Sequence, residues 1–287
     1  MLNAYACYLE REAIIHLRGP RTTEFLQGQF TGDLRKLSKT HPLQGALCNP
    51  QGRVITDARL IALDDDHILL RLRASLRDRC TEILHRYAQF SRVEVSAHET
   101  DRAILGLYGD LAPPLLPPSP DEALHHDGCV VLNWASGVGE VIAPTGAEAS
   151  LETIAAGLQP GLESDWQAKV LQSGHYALES SDSEQFTPQT LNYDERGLIA
   201  FDKGCYTGQE VVARLHYKGR AKRRLRIFHA TSQAPVEEPL VDSEGTKAGK
   251  VLRCVPASEG YVIAAEIAVD APVANLHTSQ GSVLSPA

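Results

Sequence analysis

The sequence predicts an α+β fold that ends in a small antiparallel β-barrel, and three observations support this prediction. The 287 residues fit one large domain or two to three smaller ones, because a single core stops growing near ~250 residues. Residues 45–109 follow the order strand, strand, helix, strand, strand, which is typical of an α+β unit. Beyond Leu225 every regular segment has the pattern of a strand, with turns between the strands.

The first part of the chain is predicted to be mainly extended. Gly19 and Pro20 end the first strand, Thr22 or Thr23 caps a short helix, and the Asn49–Gly52 turn separates two strands. The predicted strands are 13–17, 45–48, 53–63 and 67–73.

The clearest helix lies near residue 80. Its apolar side chains recur at positions that share one helical face, and they are Leu76, Cys80, Ile83, Leu84 and Tyr87. Ser75 is the expected N-cap of this helix. Cys80 is therefore predicted to be a core residue.

The remaining elements suggest how the chain divides. Residues 112–120 contain five prolines and are predicted to be an exposed connector. Further strands are predicted at 92–97, 103–108, 129–134, 138–142, 225–230, 248–255 and 261–269, and helices near 148–157 and 166–173. We therefore predict a region 1–222, in which a subdomain of about 45–110 is inserted between 1–44 and 121–222, and a barrel over 223–287.

Composition excludes several classes of function. The net charge of −8 argues against a protein that coats nucleic acid, which needs a basic field. The six cysteines are widely and irregularly spaced, which disfavours a zinc ribbon, a self-contained iron–sulfur ligand set or a disulfide framework. No apolar run approaches the ~18 residues of a membrane span. The N-terminus carries no secretory signal pattern, so a cytoplasmic location is expected.

One segment, residues 203–214, carries the clearest chemistry. Thr207 and Glu210 form a capping-box pattern, which predicts a helix from Gly208. Cys205 would then lie beside the positive end of this helix, where a thiolate is favoured, and Lys203 adds positive charge. The alternative, from chemistry alone, is an inert cysteine in a tight loop.

Four segments together resemble the YgfZ family, which is related to the T-protein (aminomethyltransferase) of the glycine cleavage system. They are FLQGQFTGDL at 25–34, NPQGR at 49–53, FTPQTLN at 186–192 and KGCYTGQE at 203–210. The similarity extends from about residue 9 to 230 and is weaker in the C-terminal strands.

The resemblance implies a T-protein-like folate-binding fold, with two α+β subdomains in a ring-like arrangement and a C-terminal antiparallel β-barrel. It also implies tetrahydrofolate or a derivative as ligand. The implied function is an accessory role in iron–sulfur cluster assembly or repair that indirectly supports tRNA modification. Its partners would be iron–sulfur client proteins, without direct nucleic-acid or membrane binding, and the family's usual state is a monomer. The alternative is an aminomethyltransferase-like one-carbon transferase, although T-proteins lack the KGCYxGQE stretch; whether the chain is an enzyme stays open.

The resemblance assigns roles residue by residue. Cys205 matches the motif cysteine and is the expected functional thiol, with Lys203 as its neighbour. Trp166 corresponds to a tryptophan proposed for folate contact, and Gln172 lies where relatives commonly carry Glu. Gln189, in the FTPQTLN segment, and Arg214, beside the motif, complete the predicted folate-binding set. Six basic residues within 218–226 suggest a site for the glutamate tail of folate, a site for an acidic partner, or a solvated junction before the barrel, and no metal site is predicted.

Overall fold

The computed structural model describes residues 3–97, 102–111, 115–278 and 281–287. The strands are β1 (Ala4–Tyr8), β2 (Glu12–Arg18), β3 (Leu43–Cys48), β4 (Val54–Asp64), β5 (His67–Arg73), β6 (Glu94–Ser96), β7 (Arg102–Gly109), β8 (Ala123–His126), β9 (Cys129–Ala135), β10 (Val138–Pro144), β11 (Gln159–Pro160), β12 (Arg223–Ala230), β13 (Pro239–Val241), β14 (Lys247–Pro256), β15 (Tyr261–Ala268), β16 (Leu276–Thr278) and β17 (Val283–Pro286). The helices are α1 (Thr22–Gln27), α2 (Arg77–Ala88), α3 (Glu148–Ile154), α4 (Glu163–Gln172) and α5 (Gln209–Lys218).

These strands form two open sheets and one barrel. The first sheet has the order β11-β1-β7-β10-β9-β8, and the second has the order β3-β4-β5-β2-β6. Strands β12 to β17 close into a barrel of six antiparallel strands, which removes the exposed edges that an open sheet of this size would present. The predicted α+β class with a C-terminal antiparallel barrel is therefore confirmed.

Strands that are neighbours along the chain do not always belong to the same sheet. Strands β1 and β2 are consecutive but pair in different sheets, because β2 pairs with β5 and β6 while β1 pairs with β7. The unit expected over residues 45–109 does not form one sheet, since β7 pairs with β1 and β10. Periodicity predicted these strands but carried no information about their partners. The domain boundaries inferred from sequence stay predictions.

Apolar packing joins the three units around one region. One core cluster combines side chains of the second sheet with Leu225, Leu252 and Val262 of the barrel. Another joins Ile61 and Leu69 of the second sheet to both tryptophans and to the first sheet. The contact between both sheets, α4 and the barrel strand β14 therefore forms the centre of the molecule.

Local details differ from the sequence predictions in three places. Helix α2 begins at Arg77 after a short 3-10 turn, and the Ser75 hydroxyl donates to Glu179 Oε2 over 2.6 Å instead of capping the helix. Cys80 is fully buried as predicted, whereas Tyr87 is exposed because the helix face turns into solvent at its last turn. Helix α4 begins at Glu163, before the predicted start.

The proline-rich connector is only partly exposed, whereas its composition predicts exposure throughout. Residues 112–114 lie outside the described residues. In the rest of the connector Pro117 is buried, and its carbonyl accepts from Asn133 Nδ2 over 2.7 Å. The Pro120 carbonyl accepts from Arg59. A segment without regular structure still offers carbonyl acceptors, so the prediction that all of it is exposed was wrong.

Candidate functional site

The four segments that carry the family resemblance meet around the start of α5. The Asn49–Gly52 turn packs against this helix, since a Cβ added at Gly52 would lie 2.9 Å from Val211 Cβ. Gln189 Nε2 donates to the Val212 carbonyl over 2.8 Å. Segments that are far apart in the chain therefore build one surface.

The capping box predicted at the start of α5 is absent. The N-cap is Gly208, with φ of 85°, and no side chain caps the helix, which begins at Gln209. A Cβ at Gly208 would overlap the Asn49 carbonyl oxygen. Glycine is required here because of both the left-handed backbone and the close approach of the turn, and this conformation moves Thr207 out of the capping position.

Lys203 anchors the motif to the N-terminal segment. Its ammonium donates to the carbonyls of Phe30 and Gly32, both over 2.7 Å, and lies 5.2 Å from the centre of the Tyr206 ring. Burial lowers the pKa of Lys203 to about 8, while the two carbonyls and the ring favour the charged form. The side chain is 7% exposed, so it acts chiefly as a clamp between chain segments.

Cys205 lies on an exposed tip between two buried anchors. Lys203 and Tyr206 are buried, whereas Gly204 and Cys205 between them are exposed. A Cβ at Gly204 would meet no atom within 4 Å, so the space beside the thiol is open. Of the six cysteines, four are buried, Cys254 is half-buried and Cys205 is exposed. The tip therefore presents a free thiol to solvent in a fixed position.

The other residues predicted around the motif occupy different positions. Gln189 is 2% exposed, and its Oε1 is buried without a partner among the described residues. Arg214 is exposed on the outer face of α5. Neither residue lines the central pocket, so their predicted role in folate binding stays a prediction.

The central pocket lies where the sheets, α4 and the barrel meet. Its free volume is about 50 Å³, and its walls include the two tryptophans of the chain, Trp134 and Trp166. Trp166 is 2% exposed, and its Nε1 donates to the Gly139 carbonyl over 2.8 Å. Among the predicted site residues, Trp166 is the one that lines this pocket.

Aromatic and guanidinium groups alternate along one wall. The Trp134 ring meets Trp166 edge to face at a centroid distance of 6.3 Å. The guanidinium carbons of Arg59 and Arg71 lie 4.8 Å and 4.9 Å from the Trp134 ring centre. Such cation–π pairs hold a ring in one orientation. Trp134 Nε1 is buried and has no acceptor among the described residues, so it is available to a ligand.

A buried ion network supports this wall. Arg71 contacts Glu12 at 2.9 Å and Glu140 at 2.7 Å, and Arg73 also contacts Glu12. Arg253 contacts Asp182 at 2.7 Å. Buried charges persist only when they are paired, so these contacts fix the arginine side chains around the pocket.

Burial shifts the pKa values of two titratable groups in the pocket. Asp57 lines the pocket, and burial raises the pKa of its carboxyl although it accepts from the Leu178 N–H over 3.2 Å. Burial and the nearby Arg196 lower the pKa of His175 to about 2, so its imidazole is neutral. A carboxyl with a raised pKa keeps its proton to a higher pH than a free carboxyl does.

Gln172 is exposed and lies in a different cleft from Trp166. This cleft of about 430 Å³ is formed with Tyr5, Tyr108 and Lys169. Although Gln172 is on the same helix as Trp166, six residues carry it to another face. Its predicted contact with folate therefore stays a prediction, without support from the lining of the central pocket.

Sequence reasoning missed most of the pocket. Asp57, Arg59, Arg71, His175 and Arg196 line it, yet each lies in a strand or loop that has no motif of its own. The available signal was Asp57, Arg59 and Arg71, which are charged side chains inside largely apolar strands. Buried charge in such strands is a sign of pairing or of a ligand site.

The described residues provide neither a metal-binding cluster nor a membrane-spanning helix. The described part of the chain contains no cluster of three or more His, Cys, Asp or Glu that could hold a metal ion. None of its helices is long and apolar enough to cross a bilayer.

The chain is similar in sequence to curated bacterial proteins. It is 31% identical over 271 residues to "tRNA-modifying protein YgfZ" of Enterobacter sp. strain 638, covering 89% of this chain and 82% of that protein. The protein of the same name from Escherichia fergusonii is 28% identical over 270 residues, with the same coverage. No protein-family model matches the chain.

A solved structure shares the whole fold. The glycine cleavage system aminomethyltransferase T from Bartonella henselae superposes with a TM-score of 0.79 and 18% identity, covering 99% of this chain and 84% of that one. At this identity the likeness establishes the fold alone.

Proposed function

The chain belongs to the YgfZ family, and from this premise we propose that it is a folate-binding accessory protein for iron–sulfur cluster assembly or repair. Its support of tRNA modification is then indirect, through iron–sulfur enzymes that modify tRNA. The similarity to proteins named tRNA-modifying and the fold shared with an aminomethyltransferase both support this proposal.

The observation that carries the proposal is the exposed thiol of Cys205. It is the one exposed cysteine among the six, and it lies on a tip held by Lys203 and Tyr206. A thiolate is the usual protein ligand of iron in iron–sulfur clusters and the reactive form in thiol exchange. A free thiol on a rigid, accessible tip fits transient contact with a cluster or a client protein.

The residues of the central pocket fit a ligand of the folate class. Aromatic walls such as Trp134 and Trp166 are typical of sites for flat heterocycles, and the buried Trp134 N–H lacks an acceptor among the described residues. Asp57 offers a carboxyl whose pKa is raised by burial. The free volume of about 50 Å³ is well below the ~300–1,000 Å³ of ordinary ligand pockets, so side chains have to move when a two-ring ligand enters.

The thiol is tested by genetic complementation. In a strain that lacks the native gene, Cys205→Ala should fail to restore iron–sulfur enzyme activity and the thiolated tRNA that depends on it. Cys254→Ala is the matched control, because Cys254 is the half-buried cysteine of the barrel. Full restoration by Cys205→Ala, at equal protein levels, contradicts the proposed role of the thiol.

Folate binding has a direct readout, since both tryptophans line the pocket. Tetrahydrofolate should quench the tryptophan fluorescence of the protein, and Trp134→Phe and Trp166→Phe should each remove part of the signal. Calorimetry under the same conditions checks the stoichiometry. Absence of both quenching and heat would refute the assignment of a folate ligand.

A folate-dependent one-carbon transferase is the second candidate. The fold shared with aminomethyltransferase T and the Asp57 carboxyl in the pocket favour it. The test is incubation with tetrahydrofolate and an aminomethylated carrier protein, with methylene-tetrahydrofolate as the measured product. Turnover that Asp57→Asn abolishes, but Cys205→Ala does not, would favour the transferase over the accessory role.

A further inference from the structure

A second cavity adjoins the central pocket and is considerably larger. Its free volume is about 280 Å³. It shares five lining residues with the central pocket, namely Gln44, Arg59, His175, Arg196 and Leu198. These side chains form a partition between the two spaces, so a ligand seated against the tryptophans could extend past the partition.

Arg59 is a buried cation with unused hydrogen-bonding capacity. The residue is 3% exposed, and its guanidinium donates to the Asn133 carbonyl over 2.9 Å and to the Pro120 carbonyl. Its Nε–H is buried without an acceptor among the described residues. Because a guanidinium carries five N–H donors, the site can accept a further anionic partner.

Arg196 supplies a second guanidinium to the same cavity. It donates to the Gly174 carbonyl over 2.9 Å, and both ring nitrogens of His175 lie within hydrogen-bonding distance of its Nη2. Burial, and then the charge of Arg196, lower the pKa of His175 and keep its imidazole neutral, so one ring nitrogen accepts from Arg196 and the ring does not neutralise the arginine. Gln44 Oε1 accepts a longer bond of 3.4 Å from Arg196.

These two arginines differ from the others in the pocket. Arg71, Arg73 and Arg253 each have a carboxylate within 4 Å. Within the described chain, Arg59 and Arg196 have no such ion pair. The carboxylates that act on them from beyond ion-pair distance are Glu140 and Asp121 for Arg59 and Asp57 for Arg196. Glu140 is already bound to Arg71, and Asp121, which also lines the cavity, is exposed to solvent.

We propose that the cavity between Arg59 and Arg196 is a carboxylate-binding subsite that recognises the anionic glutamate tail of the ligand in the central pocket. Two partly desolvated guanidiniums without carboxylate partners are stabilised by an anion, and their planar donors match a carboxylate. This inference rests on the proposed function for the identity of the ligand, but the cationic cavity exists independently of it. The subsite replaces the basic stretch 218–226 as the candidate for binding the tail.

The experiment compares three probes by calorimetry at fixed ionic strength. Tetrahydrofolate triglutamate carries ring and tail, tetrahydropteroate carries the ring and a benzoate carboxylate but no glutamate, and p-aminobenzoyl-triglutamate carries the tail without the pterin. The variants are Arg196→Met, which keeps the apolar stem, and Arg220→Met as matched control in the exposed basic stretch.

We expect the wild-type protein to bind the triglutamate at least about tenfold more tightly than tetrahydropteroate, which corresponds to ~1.4 kcal/mol. Arg196→Met should abolish this preference, which is compared as the ratio of the two affinities within each variant because Arg196 also lines the central pocket, whereas Arg220→Met should leave that ratio unchanged. The tail probe alone should bind the wild-type protein and not Arg196→Met. Arg59→Lys retains the positive charge but loses the planar set of guanidinium donors, and it should lower the preference less than Arg196→Met does.

The outcomes separate the subsite from the proposed function. Equal affinity for the triglutamate and tetrahydropteroate, or loss of the preference in Arg220→Met only, overturns the subsite while folate binding stands. Binding of the tail probe without binding of tetrahydropteroate supports the subsite and contradicts the pterin assignment. If no probe carrying the tail binds, the subsite is wrong.

Discussion

Replacing Lys203 by methionine tests whether this residue is a structural clamp or a partner of the thiol. The change keeps most of the side-chain volume and removes the ammonium that donates to the carbonyls of Phe30 and Gly32 over 2.7 Å. A hydrogen bond to a charged group contributes about 1.5–3 kcal/mol. Methionine avoids the desolvation that lowers the pKa of the lysine, so we expect a net loss of about 3 kcal/mol.

For a protein of this size a loss of 1 kcal/mol lowers the Tm by about 2–4 °C, so Lys203→Met should lower it by about 6–12 °C. Differential scanning calorimetry measures the shift. Lys36→Met is the matched control, because Lys36 is exposed near the same segment and should change the Tm by less than about 1 °C. A Tm unchanged in Lys203→Met together with loss of complementation would refute the clamp and assign Lys203 to the function of the thiol.

Three further predictions concern the helix start and the pocket. Gly208→Ala forces a Cβ against the Asn49 carbonyl in a left-handed backbone, so it should destabilise the protein by about 1–3 kcal/mol, read as a lower Tm; an unchanged Tm would contradict the close approach. Burial raises the pKa of Asp57, so this carboxyl destabilises the fold as pH rises above about 4; the Tm of Asp57→Asn relative to wild type should therefore increase from pH 4 to pH 8, and a constant difference would refute the shift. Glu140→Gln removes one of the two buried carboxylates that contact Arg71 and leaves Glu12 as its partner; it should cost about 3 kcal/mol in a chemical unfolding titration, whereas a loss below about 1 kcal/mol would mean that Glu12 alone compensates the charge of Arg71.

Local pattern was sufficient for part of this structure. The spacing of Leu76, Cys80 and Leu84 predicted one buried helix face, and all three side chains are buried. The strand patterns and turn signals after Leu225 predicted three of the six barrel strands, β12, β14 and β15. Such patterns are local because helix and strand periodicity depend on neighbours within a few residues.

Local pattern failed where a partner from elsewhere in the chain decides the geometry. The capping box at Thr207 was outweighed by the Asn49 turn, which requires glycine in a left-handed conformation at the N-cap. Ser75 was expected to cap α2, but Glu179, more than 100 residues away, accepts its hydroxyl. A tertiary hydrogen bond competes with the local capping bond, and a short sequence pattern carries no information about the distant partner.

By itself, the sequence determined the fold class, the barrel, the family and the cysteine that differs from the other five. The tertiary structure decided that Lys203 is held by two carbonyls and that Trp166 lines the pocket while Gln172, on the same helix, lies in another cleft. It also decided which arginines have carboxylate partners. Charge pairing depends on which strands meet across the two sheets and the barrel, and this follows from packing of the whole chain rather than from any short segment.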